Sequence, residues 1–440
     1  MVSNRLQGVQ IVPVVQAVQN VGQGMTSKAV KSNAKRKIKK VMLADIPHVG
    51  PGTPCGEWFR RYWVVVGTAQ ELYDIPRAVK VLGEDLVLFR DQFGKVGLLG
   101  EHCPHRGASL EYGDIEDGGL RCPYHGWLFN VRGQCLEMPA EPKDSKFCQK
   151  VKHLSYPVKE LGGLLFAYMG PDKDDPPPLP NYAPLAERTG QWQIEPVRQA
   201  EYNWFNFFEN SADPAHVCIL HRHAGYGQQS WGNQFFSYTE MPHFEFVEMD
   251  YGMKVVMSKP GPEAGTEFVD EMSLALPSIV QVGDTEFVHA KVDAAALIKE
   301  GSRCEHWMFV TPNDDDHFML FTADNYRGPE EDFFEKLKEL RAKETPMQEV
   351  MPYDNRKFMP FKGNVRKEDL VTQGTQGLLG ERSEQLGISD RGVIKFRKIV
   401  LEAIETALNG GRPRGRVANN HANELYRLET QVGLRVKDSN

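Results

Sequence analysis

The sequence predicts an α+β protein of two domains, an all-β unit followed by an antiparallel sheet flanked by helices. Three features carry that prediction. Short β-rich runs separated by turn residues extend from Trp63 to Gly170; a proline-rich break, GPDKDDPPPLPNYAPL, occupies 170–185; beyond it, longer alternating runs lie between amphipathic helices. With 440 residues, 41% hydrophobic and 25% charged, the chain can build two or three cores. The expected organisation is a tail over 1–44, a β domain over 45–172 and a larger domain over 173–440.

In the tail, KAVKSNAKRKIKK (28–40) carries basic residues and no acid. It reads as a disordered segment, with Met25 as an alternative start, or as an electrostatic dock for an acidic redox partner. GEWFRRYWVVVGTAQEL (56–72) reads as an amphipathic segment entering a strand. LVLFR and VGLLG flank the hairpin signal DQFGK. After the proline-rich break, which could instead be a surface loop, residues 201–223 read as helix, kinked or interrupted at Pro214. HWMFVTPNDDDHFMLFTADN reads as a hairpin turning on Pro-Asn-Asp-Asp-Asp. Residues 329–343 and 391–409 read as amphipathic helices; in the second, Val393, Phe396, Val400, Ile404 and Leu408 share one face.

The net charge of −7 offers no basic field for nucleic acid, and no run approaches the ~18 apolar residues of a membrane span. Seven cysteines are too few and odd in number for a secreted disulfide framework, so a reducing cytoplasm is expected.

HCPHRGASLEYGDIEDGGLRCPYHGWLFN (102–130) holds Cys103-x-His105 and Cys122-x-x-His125. A structural zinc site would show Cys-Cys or His-His pairs. One thiolate and one imidazole per turn suit a two-iron, two-sulfide cluster in which each loop supplies one ligand to each iron. His102 reads as structural, and Cys135 and Cys148 as small buried hydrophobes. A cluster held wholly by protein passes electrons but has no open position, so bond-making chemistry must lie elsewhere.

FFENSADPAHVCILHRHAG (207–225) contains Glu209, Asp213, His216 and His221. The first three share a helical face at i, i+4 and i+7, and the helix must bend or end before His221. Two histidines beside acids suggest a non-haem iron site completed by one carboxylate from elsewhere, with positions left open for dioxygen and substrate. His223 reads as surface or as support, and Asn206 and Glu209 as residues that orient ligands.

The cluster spacing and its flanks, CPHRGA and CPYHGW, resemble the Rieske family. From about Val49 the chain resembles the Rieske-type non-haem iron oxygenases. GPGTPCGEWFRRYW, GLRCPYHGW and ERSEQLGISDRGVIKFR are similar to the catalytic (alpha) subunits of the branch containing phthalate dioxygenase and dehydrodivanillate O-demethylase. The resemblance implies a Rieske [2Fe-2S] domain, a helix-grip-like catalytic domain with mononuclear Fe(II), and an α-only homotrimer in which electrons cross between subunits. Asp213 would bridge His216 or His221 to the neighbour's His105 or His125. The family's third iron ligand falls in KEDLVTQGTQGLLGERSEQLG (367–387) at Asp369. Glu368 replaces the usual Gln and one residue is missing near Ser383, so a one-residue slip would make Glu368 the ligand.

The leading expectation is therefore a terminal oxygenase that takes electrons from a separate reductase or ferredoxin. With O2 it would cis-dihydroxylate or O-demethylate an aromatic substrate, implied to be a carboxylate held by an Arg or Lys such as Arg198, Arg222 or Arg327. The alternatives are a Rieske electron-transfer protein without oxygenase chemistry and a zinc-stabilised binding protein.

Overall fold

The computed structural model describes residues 40–116, 118–187, 189–222, 240–283, 302–343, 365–418, 421–428 and 430–436. Its helices are α1 (Pro54–Phe59), α2 (Ala183–Glu187), α3 (Trp204–Asn210), α4 (Pro214–Leu220), α5 (Phe333–Lys343), α6 (Val365–Gly374) and α7 (Arg391–Leu408). Packing already involves Val41, within the stretch expected as tail: its side chain is buried and its N–H donates to Glu405 Oε1 at 3.3 Å. Residues 1–39, with most of the basic run, lie outside the described residues.

The N-terminal part consists of small antiparallel sheets. One is built from Arg77–Val81, Glu84–Arg90, Val96–Gly100 and Ser155–Tyr156. Its DQFGK hairpin forms as the sequence suggests. Asp91 Oδ1 accepts the N–H groups of Phe93 and Lys95 at 2.9 and 2.8 Å, and Gly94 supplies the positive φ. A second sheet joins Asp114–Glu116, Gly119–Arg121, Leu128–Asn130 and Cys135–Glu137, next to the two Cys-His loops. The third joins Trp63–Thr68, Leu164–Tyr168 and Val158–Leu161. The proline-rich break does end in structure: Asn181–Tyr182 pairs with Leu425–Tyr426, and α2 follows. Pro184 is tolerated there because a first-turn residue has no helical partner for an N–H.

The C-terminal part is an eight-stranded antiparallel sheet among the described residues. Gln191–Ala200 at one edge pairs with Phe318–Arg327, followed by Arg303–Pro312, Ile279–Val282, Thr266–Ala275, Gly252–Pro260 and His243–Met249; Val432–Val436 adds to Thr266–Ala275. The Pro-Asn-Asp-Asp-Asp turn joins Arg303–Pro312 to Phe318–Arg327, as expected. The first strand lies at one edge and His243–Met249 at the other, and the chain leaving the first strand carries α3 and α4.

Alternation divides the strand residues between two faces. Trp307, Phe309, Phe321 and Ala323 pack with Trp63, Val65, Phe166 and Tyr182, so the sheet's back is sealed by the third N-terminal sheet. The Phe166 and Phe309 rings meet edge to face at 5.9 Å. Met272, Met308, Leu320 and Thr322 lie on the other side, beside the helices. The predicted stripe of α7 is buried at Val393, Phe396, Val400 and Ile404, with Leu408 partly buried against the same core. That core also takes Val64, Leu88 and Trp58, so both halves of the chain share it.

The interruption expected at Pro214 is present and goes further than a kink. Two short helices replace one kinked helix: α3 ends at Asn210, and Asp213 starts α4 as its N-cap, accepting the Ala215 N–H at 3.2 Å with Pro214 in the first turn. A capping Asp followed by Pro is a start signal, and it outweighed helical continuity. The i, i+4, i+7 face of Glu209, Asp213 and His216 therefore does not exist. His221 is the C-cap of α4, so the helix does end between the histidines.

Candidate metal centres

The two Cys-His loops are near copies. Cys103 N–H donates to Ala108 O at 2.8 Å and Gly107 N–H returns to Cys103 O at 2.8 Å; Cys122 N–H donates to Trp127 O at 2.9 Å and Gly126 N–H to Cys122 O at 3.0 Å. Gly107 and Gly126 sit at φ +76° and +73°, a conformation other residues resist. Cys103 and Cys122 are buried, whereas His105 is exposed and His125 half-buried. The thiols thus point inward, and the imidazoles sit 4.5 Å apart toward the surface. His105 stacks on Trp127 at 4.4 Å and 6°. Desolvation, with His105 and Arg106 adjacent, lowers the pKa of His125. Its Nδ1 is buried without a hydrogen-bond partner, as a nitrogen reserved for a metal would be. Two inward thiols, two outward imidazoles and an orphaned ring nitrogen fit a [2Fe-2S] cluster with mixed ligation. His102 Nδ1 lies 3.2 Å from Gly107 O, which gives it a place in the loop.

His216, His221 and Asp369 come together from α4, its C-cap and α6, with their donor atoms all within 4.8 Å of one another. Asp369 Oδ1 lies 3.4 Å from His221 Nε2 and 3.8 Å from His216 Nε2. The other ring nitrogens are committed: His216 Nδ1 bonds the Asp213 carbonyl, and His221 Nδ1 lies 2.9 Å from Glu368 Oε2. Each imidazole can therefore turn its Nε2 toward one point beside a carboxylate, a donor set suited to ferrous iron with open positions. Burial lowers the pKa of His221, but Asp369 and Glu368 outweigh it and push it up to about 9. To hold a metal ion through Nε2, His221 would have to give up that proton.

Glu368 and Asp369 thus occupy different positions despite being neighbours. Glu368 is fully buried behind His221, while Asp369 faces both Nε2 atoms. Sequence reasoning missed Asn210, whose Nδ2 is 3.1 Å from His216 Nε2 and 3.5 Å from Asp369 Oδ1. Its only signal was proximity in sequence to the histidines. Glu209 lies apart from this set. It is buried and bonded to Arg382 and Arg397, the latter at 2.7 Å. Asn206 Nδ2 donates to the carbonyls of Gln373 and Gly377 at 3.1 and 3.0 Å, tying down the end of the helix that carries Asp369. His223 lies outside the described residues.

The three donors open onto a cavity of about 240 Å³ under the sheet, walled largely by apolar side chains such as Phe207, Met308, Phe318 and Leu320. Its polar wall includes Thr322 and His306, and His306 Nδ1 is bonded to Asp324. No Lys or Arg lines it among the described residues. Arg222 is turned to the Ile219 carbonyl, Arg327 pairs with Glu305, and the Arg198 side chain lies outside the described residues. No described helix is long and apolar enough to cross a membrane.

Residues 62–159 match the Rieske [2Fe-2S] domain. The chain is 32% identical over 435 residues, 94% of its own length and 87% of the relative's, to the oxygenase subunit of tert-butanol monooxygenase / tert-amyl alcohol desaturase from Aquincola tertiaricarbonis. It is 31% identical, over 88% of this chain and 85% of the relative, to the 5,5'-dehydrodivanillate O-demethylase oxygenase subunit of Sphingobium sp. (strain NBRC 103272 / SYK-6). The fold matches dicamba monooxygenase bound to dicamba with a TM-score of 0.58 at 20% identity, covering 79% of this chain and 99% of that one.

Proposed function

The chain belongs to the Rieske-type non-haem iron oxygenases, and from that premise we propose that it hydroxylates or O-demethylates an aromatic substrate in the cavity bordered by His216, His221 and Asp369. It is the terminal oxygenase component, working with O2 and electrons from a separate reductase or ferredoxin. The observation that carries the reading is the juxtaposition of three metal-donor side chains with an apolar cavity, in a chain that also bears the Rieske loops. An electron carrier without oxygenase chemistry has no use for that arrangement.

When bound, the cluster supplies single electrons and the mononuclear iron activates dioxygen. Cys103 and Cys122 would hold the inner iron of the cluster, and His105 and His125 the outer one. The protein's own part at the second site is orientation. The Asp213 carbonyl and the Glu368 carboxylate hold the two imidazoles by their Nδ1 atoms, and Asn210 spans His216 and Asp369. The apolar wall excludes water from the substrate's ring. A polar substituent would meet Thr322 and the His306–Asp324 pair.

The homotrimer and the crossing of electrons through Asp213 into the next subunit belong to this proposal. The exposed side of His105 supports them, since it leaves the cluster's outer edge open to another chain. A native mass other than three chains would count against the trimer.

Glu368 would act on iron through His221. Glu368→Gln keeps an acceptor for Nδ1–H but removes the charge, so iron affinity should fall about 10–100-fold. Iron retained after dialysis against a chelator checks this, with the cluster's visible absorbance as control. Unchanged retention would remove Glu368 from the site.

The function is tested by dioxygen uptake with a generic reductase and a panel of aromatic acids, aryl methyl ethers and tertiary alcohols, with formaldehyde assayed in parallel. Uptake dependent on an aromatic compound is expected; formaldehyde release selects demethylation. Uptake stimulated only by a tertiary alcohol would overturn the aromatic reading.

A further inference from the structure

Two cysteines that the sequence marks only as small buried hydrophobes are brought into contact. Cys135 Sγ and Cys148 Sγ lie 3.2 Å apart, in the same apolar cluster as Cys103, Cys122 and Trp127. Their backbones are held on both sides. The Cys135 N–H donates to Val151 O at 3.3 Å, Val151 N–H donates to Cys148 O at 3.2 Å, and Gln134 bridges to Lys152. Cys135 is buried and Cys148 half-buried, so Cys148 is the member of the pair nearer to solvent and Cys135 backs it.

The segment between them walls the second Cys-His loop. Met138 is buried in the cluster, and the Pro139 ring comes so near Gly126 that a Cβ there would meet it at 3.0 Å. Phe147 sits edge-on to Trp127 at 5.9 Å, and Trp127 in turn stacks on His105. Arg121 joins the two parts, donating to Glu137 Oε2 and to the Gly126 carbonyl, each at 2.7 Å.

We propose that Cys135 and Cys148 are a peroxide-responsive thiol pair, whose oxidation to a disulfide staples the 138–147 segment against the loop bearing Cys122 and His125. The Cys148 thiolate attacks one oxygen of hydrogen peroxide; the O–O bond breaks, the departing hydroxide is protonated to water, and Cys148 becomes a sulfenic acid. The Cys135 sulfur then attacks the Cys148 sulfur. The S–S bond forms, the S–O bond breaks, and a second water leaves. Two thiols give up two electrons and one peroxide becomes two waters. A reducing dithiol reverses the change. Neither step involves the mononuclear site, so the proposal stands apart from the substrate reading.

The test uses the iron-loaded protein, treated with stoichiometric hydrogen peroxide, alkylated and digested with trypsin without reduction. Arg132 and Lys143 bound the peptide containing Cys135, and Lys146 and Lys150 the one containing Cys148, so a disulfide joins 133–143 to 147–150. The expected product is that linked pair, two hydrogens lighter than the sum of its parts and separated by dithiothreitol. Cys148→Ser should abolish the link, keep the cluster's visible spectrum, and bleach roughly threefold faster than the stapled wild type under peroxide. Cys135→Ser should behave alike, which separates loss of the staple from a local defect at residue 148. The proposal is overturned if both cysteines remain alkylatable, if Cys148 accumulates as sulfinic acid without the link, or if it pairs with a cysteine of another chain. Equal bleaching of wild type and both variants overturns the stapling role.

Discussion

Asp369→Ala is expected to reduce turnover about a thousandfold or more while leaving the visible spectrum of the cluster unchanged. Among the described residues, Asp369 Oδ1 is the one carboxylate oxygen placed against both imidazole Nε2 atoms, 3.4 Å from His221 and 3.8 Å from His216. Without it, two neutral imidazoles would have to hold a divalent ion alone, and the mononuclear iron should be lost on dialysis. The cluster loops draw no ligand from α6, so iron analysis should show only the cluster's iron remaining. Retention of all iron together with activity would exclude Asp369 as a ligand. The same variant also tests the crossing of electrons between subunits. Mixed and reassembled with a Cys122→Ser chain, which lacks the cluster, it should regain turnover that neither chain has alone. Co-assembly without recovered turnover would show that electrons stay within one chain.

Glu209→Ala should destabilise the fold by about 3–5 kcal/mol, with no direct loss of a metal ligand. Glu209 is 4% exposed and receives Arg397 Nε at 2.7 Å as well as Arg382. Arg397, itself 4% exposed, forms a two-pronged pair with Glu384 at 2.7 and 2.8 Å. Removing Glu209 leaves a buried guanidinium with half its partners and loosens the Arg382 contact to Asn206 Oδ1 at 3.2 Å. Asn206 holds the end of α6, so iron affinity should weaken secondarily. Denaturant unfolding measures the stability loss, and Glu209→Gln should cost less because it preserves one hydrogen bond. A change under about 1 kcal/mol would mark the network as a surface-like pair. Arg397 also holds the Glu384 carboxyl below its ordinary pKa. That contribution is present above the unfolded carboxylate pKa and lost as pH falls through the lowered one, so acid should cost stability in wild type and variant alike.

Much of this was legible in the residues. Cys103, His105, Cys122 and His125 could be grouped because their two short loops carry their own geometry, set by local hydrogen bonds and a glycine four places after each cysteine. The α7 stripe and the hairpin between Arg303–Pro312 and Phe318–Arg327 were readable for the same reason, as periodicity and turn chemistry act over a few residues. The break at Pro214 was legible, but its consequence for the flanking residues was not drawn. A helical periodicity was carried across a residue pair that starts a new helix, and the shared face of Glu209 and His216 vanished with it. Asn210 was not found because its distance from His216 depends on the angle of that break. Cys135 and Cys148 gave no sign of each other, since they are thirteen residues apart and meet only through the course of the segment between them.

By itself, then, the sequence determined the α+β class, through periodicities along the whole chain, and the two ligand loops and the pairing of His216 with His221, each encoded within about twenty residues. The tertiary structure decided which acid faces the histidines. Glu368 and Asp369 are adjacent, equally acidic and indistinguishable by spacing, but successive residues on α6 point about 100° apart. Only the packing of that helix against α3 and α4 directs Glu368 to the back of His221 and Asp369 to its Nε2. It also decided that Glu209 stabilises two arginines away from the metal donors, because partners far apart in sequence meet only where the sheet, α3 and α7 bury them together.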